Sequence, residues 1–377
     1  GAALAVNEDT PLAISGVSVA DIDAGAAGVA LTLSAAHGTL NVATNVAGGV
    51  DVSAVSGNGT DTVIVTGTAA AINTTLAASA GLSYQGLANF NGADTLSATV
   101  SDLGHTGIGG ALADTKTVDI TVRPVSDTYV LSNLIVNGSF EQQIGTGYLW
   151  GGSTAMPGWT VTGTDVDRVS GWQAGDSSYS LDLNGFNPGG VQQSLATVPG
   201  VQYTVGFDLS KNPGNSSTAT VQVSAAGDSQ SYTFNAMNTT TDMKWSQQTF
   251  TFTATDTTTT LSFTSTYPTS GLPGDLSAEG PALDEVVVVS NKVIDNFTKG
   301  AGGDVLNLHD LLTSVNAPHD STAFSGGFLR FFDSNGAAAG GDTLVQVDSN
   351  GGGDSFLTMA TLSNQLLAQA DSANYLL

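Results

Sequence analysis

The chain is written in short runs of β-branched residues broken every few positions by Gly, Asn, Asp or Thr, and in its longer runs apolar and polar residues alternate. In "QYTVGFDLS" the alternation sets Tyr203, Val205, Phe207 and Leu209 on one side. In "SYSLDLNG" it sets Tyr179, Leu181 and Leu183 against Ser180, Asp182 and Asn184, leaving the polar face free for other work. A period of two buries one face of a strand and cannot build the apolar stripe of a helix. The pattern predicts an all-β protein made of sandwiches. Three stretches depart from it with helical spacing: "AAAINTTLAASA", where Ile72 and Leu76 share a face, "NLHDLLTSV" and "ATLSNQLLAQA".

At 377 residues the chain has room for more than one core. Its character changes twice. The first segment carries strands such as "VALTLSA", "DTVIVTG", "DTLSATVSD" and "KTVDITVRP", and closes on Pro124. The second, 133–290, holds all four tryptophans, at 150, 159, 172 and 245. The third, 291–377, contains "VIDNF", "GGDVLNL" and an acidic turn, "FFDSNG", echoed in "VQVDSNGGGD".

Eight Lys and Arg stand against 33 Asp and Glu, a formal charge of −25. Such a chain repels phosphate backbones and anionic membranes, which excludes nucleic acid as a partner. The carboxylates serve either as a solubilising surface or as hard oxygen ligands for calcium. With no cysteine, disulfides, thiolate metal sites and cysteine nucleophiles are excluded. No apolar run is long enough for a membrane span, and Gly1 is not followed by a secretion signal, so the sequence reads as a segment of a larger protein. In the third segment Asp333, Asn335 and Asp342, then Asp348, Asn350 and Asp354, are spaced like short calcium loops; Asn-Gly hairpin turns give nearly the same string.

The segment containing "NEDTPLAISGVSVADIDAG", "YQGLANFNGADTLSATVSDLG" and "TVDITVRPVSD" resembles the cadherin-like, immunoglobulin-type extender repeats of giant bacterial RTX adhesins. The resemblance covers nearly all of 1–126 and implies calcium at the domain ends, on Glu8, Asp21, Asp23, Asp102 and Asp127, some of which are equally ordinary turn residues. The second segment, through "NLIVNGSFE", "PGWTVTGTDVDRV", "SYSLDLNG" and "GPALDEVVVV", resembles galactose-binding-like jelly rolls of a family of unknown function. That likeness implies that the first strand lies beside the last, with a structural calcium near Glu141 and Asp284. The third is similar to the C-terminal module of type I secreted RTX proteins, in which a strand like "DTYVLS" shortly precedes "VIDNF". Here the two are separated by the whole second segment. The resemblance thus implies a split domain, 127–132 plus 291–377, interrupted by an inserted jelly roll at 133–290. The tandem glycine-rich calcium nonapeptides usual near such modules are missing, so the chain is expected to stop short of the secretion signal.

A sugar site needs planar polar groups for vicinal hydroxyls, an aromatic to stack on a C–H face, and sometimes calcium. Asp165, Asp167, Arg168 and Trp172 in "TDVDRVSGW", Asp182 and Asn184 on their strand, Asn212 in "DLSKNPGN", and Tyr267 supply those types in the second segment. Each has a plainer reading: a hairpin flank for Asp165 and Asp167, a core position for Trp172 as for Trp159, a loop hydrogen bond for Asp182, a local ion pair for Arg168. No G-x-S-x-G or H-E-x-x-H occurs and the four histidines lack ligand spacing, so no enzyme is expected. The expectation is a calcium-dependent, glycan-binding adhesin module at the bacterial surface. It would attach cells to host or other surfaces and support biofilms by binding fucose- or galactose-type glycans, as a monomer within one long chain. A spacer or protein-binding segment is the alternative, with a glycosidase less favoured.

Overall fold

Nearly every alternating run becomes a strand, and the molecule is all-β. The computed structural model describes residues 3–21, 27–104, 110–144, 149–213, 218–266, 280–336, 340–353 and 355–377. It falls into two units, Gly1–Asp127 with Gly302–Asp304, and Thr128–Ala301 with Val305–Leu377. Among the described residues no helix is long and apolar enough to cross a membrane.

The first unit is a sandwich. A six-stranded sheet runs in the order Leu4–Asn7, Ala113–Arg123, Gly92–Ser101, Val29–Ser34, Thr62–Gly67, Val55–Ser56, and a three-stranded sheet in the order Leu12–Ile14, Leu82–Gly86, Gly38–Val42. Leu31, Leu33, Val63, Val65 and Leu96 of the first meet Leu40, Val42, Leu82 and Tyr84 of the second in one core. The helix Ala69–Leu76 starts where the Thr68 side chain accepts from the Ala71 N–H, and buries Ile72 and Leu76. Two of the expected calcium residues here, Asp102 and Glu8, accept from backbone N–H groups. Asp102 Oδ1 accepts from the N–H groups of Gly104 (2.9 Å) and Leu112 (2.8 Å), closing the turn between the two longest strands. The buried Glu8 accepts from Val125 N–H and from the Asn91 amide, and its carboxyl is raised by burial, with the charges of Asp127 and Asp304 adding to the rise. Asp127 N–H donates to Asp304 Oδ1 (2.9 Å), a neighbour that sequence reasoning did not single out. Asp21 is among the described residues and Asp23 lies outside them.

In the second unit, a six-stranded antiparallel sheet runs Leu149–Trp150, Asp165–Val169, Ser180–Asp182, Pro281–Ser290, Gln202–Lys211, Ser246–Thr253. A five-stranded sheet runs Thr160–Gly163, Gly189–Ala196, Thr258–Ser265, Ala219–Ala225, Asp228–Phe234. Trp159, Leu181, Leu183, Val205, Phe207, Phe252 and Phe263 fill the space between them. The entry segment lies along the exit strand without being a regular strand itself: Leu134 N–H donates to Val288 O (2.8 Å) and Val286 N–H to Gly138 O (3.0 Å). A side chain at 138 would strike Val286 O at 2.0 Å, so the Asn-Gly pair is needed for this approach.

The strand Pro281–Ser290 has two apolar faces. Val286 and Val288 point into the sandwich, while Val287 and Val289 join a separate core with Leu357, Met359 and Leu362. That core belongs to a four-stranded sheet, Lys292–Ile294, Leu357–Leu362, Thr343–Val347, Leu329–Asp333, and to a parallel three-stranded sheet, Thr128–Val130, Val305–Asn307, Tyr375–Leu376. "DTYVLS" therefore pairs with "DVLNL", Tyr129 opposite Leu306, across the whole jelly roll. The helix in "NLHDLLTSV" forms at His309–Ser314. The one expected in "ATLSNQLLAQA" does not. Ala360 and Leu362 sit in a strand paired on both sides, to Lys292 and Ile294 and to Val345 and Thr343, and the chain turns at Asn364 with φ 55°. Two ladders of hydrogen bonds override a helical spacing of leucines.

Asp94 shows how this chain uses carboxylates. It accepts from the N–H groups of Ala36 (3.1 Å), His37 (3.0 Å) and Thr95 (2.8 Å) and from the Tyr84 hydroxyl (2.9 Å). Burial pushes its carboxyl up, but these bonds outweigh that and hold it below the usual range. Its contribution is full above the unfolded value, about 4, and is lost as pH falls through the lower folded value. Asp94→Ala is expected to cost about 3 kcal/mol at neutral pH and much less near pH 2, as read from urea midpoints.

Candidate functional site

Cross-strand neighbours share a face, which fixes what the outer side of the six-stranded sheet presents. Trp150 lies opposite Asp165, Asp167 opposite Asp182, and Asp182 opposite Ala282, which in turn faces Ser210. All of these point away from the sandwich core. Half of that outer face is closed by the C-terminal sheet: a Cβ on Gly206 would meet Leu357 Cδ2 at 3.1 Å. The middle is roofed by two loops. Trp172 Nε1–H donates to Ser180 Oγ, Gln173 N–H to Thr240 O, and Trp245 Nε1–H to Gln173 O (3.0 Å). The polar face that alternation leaves free is thus enclosed, with Ser180, Asp182 and Asn184 all buried.

The expected ligand residues divide accordingly. Asp182 is buried and accepts from Asn184 N–H (3.0 Å), Gly280 N–H (3.2 Å) and the Asn212 amide (2.8 Å). Burial pushes its carboxyl up to about 8, against those hydrogen bonds and with help from Asp167. Asp165 is equally enclosed and accepts from Phe186 N–H (2.8 Å) and Asn187 N–H (3.2 Å). Asp167 alone of this acidic row is exposed, its carboxyl raised by partial burial and by the charge of Asp165. Arg168 points elsewhere. Its guanidinium donates to the carbonyls of Phe140 and Glu141 and lies 3.2 Å from the centre of the Tyr179 ring, clasping the entry turn to its strand. Trp172 belongs to the roof, and Tyr267 lies outside the described residues.

Two aromatics that sequence reasoning passed over complete the open edge. Trp150 is 48% exposed and Phe186 53% exposed, with ring centroids 5.8 Å apart and planes within 14°. Phe186 sits on the loop that closes over Asp165, where a side chain at Gly185 or Gly189 would run into that aspartate at 2.5 and 2.0 Å. The buried carboxylate and the two glycines fix the backbone that carries the ring. The available signal was "NGFNPGG", a lone aromatic in a glycine-rich turn that no strand pattern needed for a core.

The remaining acidic residues bracket loops. Glu141 Oε1 accepts from Ser178 and Tyr179 N–H, and Asp284 Oδ2 from Gly175 N–H, so entry and exit segments tie down the same loop. Asp333 and Asp348 accept from the N–H groups of Asn335 and Asn350, Asp348 also from Gly353 and Ser355, and Asp342 from Asn364; Asp354 lies outside the described residues. Asp284 and Glu285 are buried side by side and both carboxyls are raised by burial, with Asp176 adding to Asp284 and Asp208 to Glu285; among the described residues Glu285 Oε1 has no hydrogen-bond partner. Among the described residues, no three His, Asp or Glu side chains are grouped so that they could hold a metal ion.

Residues 133–289 match the model of a family described as proteins of unknown function, DUF642. Halomucin of Haloquadratum walsbyi is 30% identical over 202 residues, which is 49% of this chain and 2% of that one, so the chain spans a small fraction of that relative. Among solved structures, TmCBM61 in complex with β-1,4-galactotriose is similar at 17% identity and a TM-score of 0.29, over 42% of this chain and 99% of that one. The CBM22-1 xylan-binding domain of Paenibacillus barcinonensis Xyn10C is similar at 20% identity and a TM-score of 0.28, over 43% of this chain and 96% of that one.

Asp182 gives the site region a pH signature. It ionises near 4 when unfolded and near 8 when folded. The folded state holds the extra proton between those values, so stability falls as pH rises through that window and levels off above it. Asp182→Asn, which keeps the shape and carries no charge, is expected to flatten that fall. Urea midpoints at about pH 5 and about pH 8 should differ less in the variant than in the parent.

Proposed function

We propose that the second unit is a non-catalytic glycan-binding module and that its ligand lies on the Trp150–Phe186 edge of the jelly roll. The observation that carries this reading is the aromatic pair itself: two half-exposed, nearly parallel rings stacked on each other, the Phe186 backbone held by Asp165, beside the exposed carboxylate of Asp167. A pyranose ring has an apolar C–H face and a rim of hydroxyls, and the edge offers a partner for each. The rings take the face, and Asp167 accepts from hydroxyls in charge-assisted hydrogen bonds. Because the rings already stack on each other, little side-chain freedom is lost on binding.

Hydrolysis does not fit this geometry. It needs two carboxylates that both reach the ligand, one protonated. Asp167 and Asp182 are cross-strand neighbours, but Asp182 is sealed beneath the loops and committed to Asn184, Gly280 and Asn212. Binding without turnover is what remains for this edge.

The wider reading is an extracellular adhesin segment of the RTX type, with the jelly roll displayed from a split domain and the first unit as an extender. In it calcium is structural rather than a bridge to the sugar. Asp284 and Glu285, where one buried oxygen lacks a partner among the described residues, are where a cation would relieve most charge.

β-1,4-Galactotriose and xylan, named with two of the similar structures, are the first probes. Trp150→Ala is expected to weaken binding of any glycan that the parent protein retains by about tenfold, the worth of one stacked ring, while the melting temperature stays within about 2 °C. Isothermal titration with calcium and again with chelator checks both parts. Loss of sugar binding without loss of fold on chelation would place the ion at the ligand and contradict the structural assignment.

A further inference from the structure

The charges around this edge decide what kind of glycan it takes, given the glycan-binding reading above. All eight Lys and Arg of the sequence fall in described residues, and six of them, Arg168, Lys211, Lys244, Lys292, Lys299 and Arg330, belong to the second unit. Each is already engaged or enclosed. Arg168, the one cation on the strand that borders the edge, donates to the carbonyls of Phe140 and Glu141 and stacks on Tyr179. Lys211 is 1% exposed. Lys244 pairs with Asp242, and Lys299 with Asp371 and the carbonyl of Leu366. Lys292 lies over the Tyr129 ring at 5.0 Å, and Arg330 bonds to Gln346 (2.7 Å) and stacks on Phe356. A uronate, sialate or sulfate brought to the Trp150–Phe186 edge meets no unengaged guanidinium or ammonium of this unit, and meets Asp167 instead.

We infer that this edge binds uncharged glycans, chains of neutral hexopyranose or pentopyranose units, and rejects acidic ones by the make-up of the site and not only through the net charge of the protein. Recognition of an acidic sugar relies on Arg or Lys forks matched to its oxygens, and the unit has none to spare at this edge. Cationic amino sugars gain little either. One exposed carboxylate gives a surface ion pair worth roughly 0–1 kcal/mol, and the paired rings do not tell a cationic pyranose from a neutral one.

Salt separates the site from the general field. Repulsion from the whole protein acts over a Debye length of about 14 Å in 50 mM salt and only about 4 Å in 0.5 M. Without cation partners at the edge, rejection persists when the field is screened. The test uses the full chain in affinity electrophoresis and titration against neutral polysaccharides (galactan, galactomannan, xylan, β-glucan), polygalacturonate, hyaluronate and chitosan, at both salt levels, with Trp150→Ala as control. At least one neutral polymer is expected to bind in a Trp150-dependent way, changing less than about threefold with salt, and both acidic polymers to bind at least about tenfold more weakly at either salt. Trp150-dependent binding of an acidic polymer in 0.5 M salt overturns the inference and leaves glycan binding standing. Preference for chitosan that survives 0.5 M salt overturns it likewise. If no polymer binds at all, the glycan reading fails and this one with it.

Discussion

The strand Pro281–Ser290 is the element on which the second unit depends. Its valines alternate between two cores, Val286 and Val288 inside the sandwich and Val287 and Val289 against the C-terminal sheet. Each buried valine is worth roughly 1.5–3 kcal/mol, so neither layer can be removed without stranding apolar surface of the other. The register shift between Gly206 and Asp208, with Glu285 at φ 50°, lets the strand change its alternation between its acidic start and its valine run. One consequence is positional. The outer face of the jelly-roll sheet is closed where this strand carries valines, and the surface open to a ligand moves to the far edge, at Trp150, Asp167 and Phe186.

Carboxylates do in this chain much of what disulfides do in other small β domains. Asp94, Asp102, Asp165, Asp182, Asp284 and Asp348 are all buried. Most accept from backbone N–H groups of a loop remote in sequence, Asp94 from residues 36 and 37, Asp284 from residue 175. Asp94, held below the usual range, accepts as an ionised group and so makes stronger bonds to N–H groups than a neutral acceptor would, while the raised carboxyls still offer oxygens to N–H groups, and several such bonds set a loop over a strand without any cross-link. The acidity of the sequence is therefore in part architectural, and a glycine often marks where a loop comes down on a carboxylate, as Gly185 does on Asp165.

The period-two pattern made the sandwich strands legible, because the residues of "QYTVGFDLS" that alternate inward are those that do so in the fold. The helix at Ile72 and Leu76 was legible for the same local reason. "ATLSNQLLAQA" was not, since pairing on both sides of Leu357–Leu362 is set by distant segments. The site region was half legible. Asp165, Asp167, Asp182, Asn184 and Asn212 do gather at one corner, but alternation cannot reveal that loops from 171–178 and 236–245 roof it, and so could not choose between a ligand role and the loop hydrogen bond that the sequence also allowed for Asp182. Trp150 and Phe186 are unremarkable letters until pairing places one opposite Asp165 and the loop over Asp165 places the other beside it.

The central claim, that sugar stacks on Trp150, has a direct reading in the indole N–H signals of a ¹⁵N-labelled chain. Four tryptophans give four signals, and those of Trp159, bonded to Asn137 O, Trp172, bonded to Ser180 Oγ, and Trp245, bonded to Gln173 O, report on places away from the edge. On titration with a bound neutral oligosaccharide the Trp150 signal should shift progressively while those of Trp159, Trp172 and Trp245 stay in place. Shifts confined to Trp172 and Trp245, with Trp150 unmoved, would put the ligand on the roof loops and contradict the account.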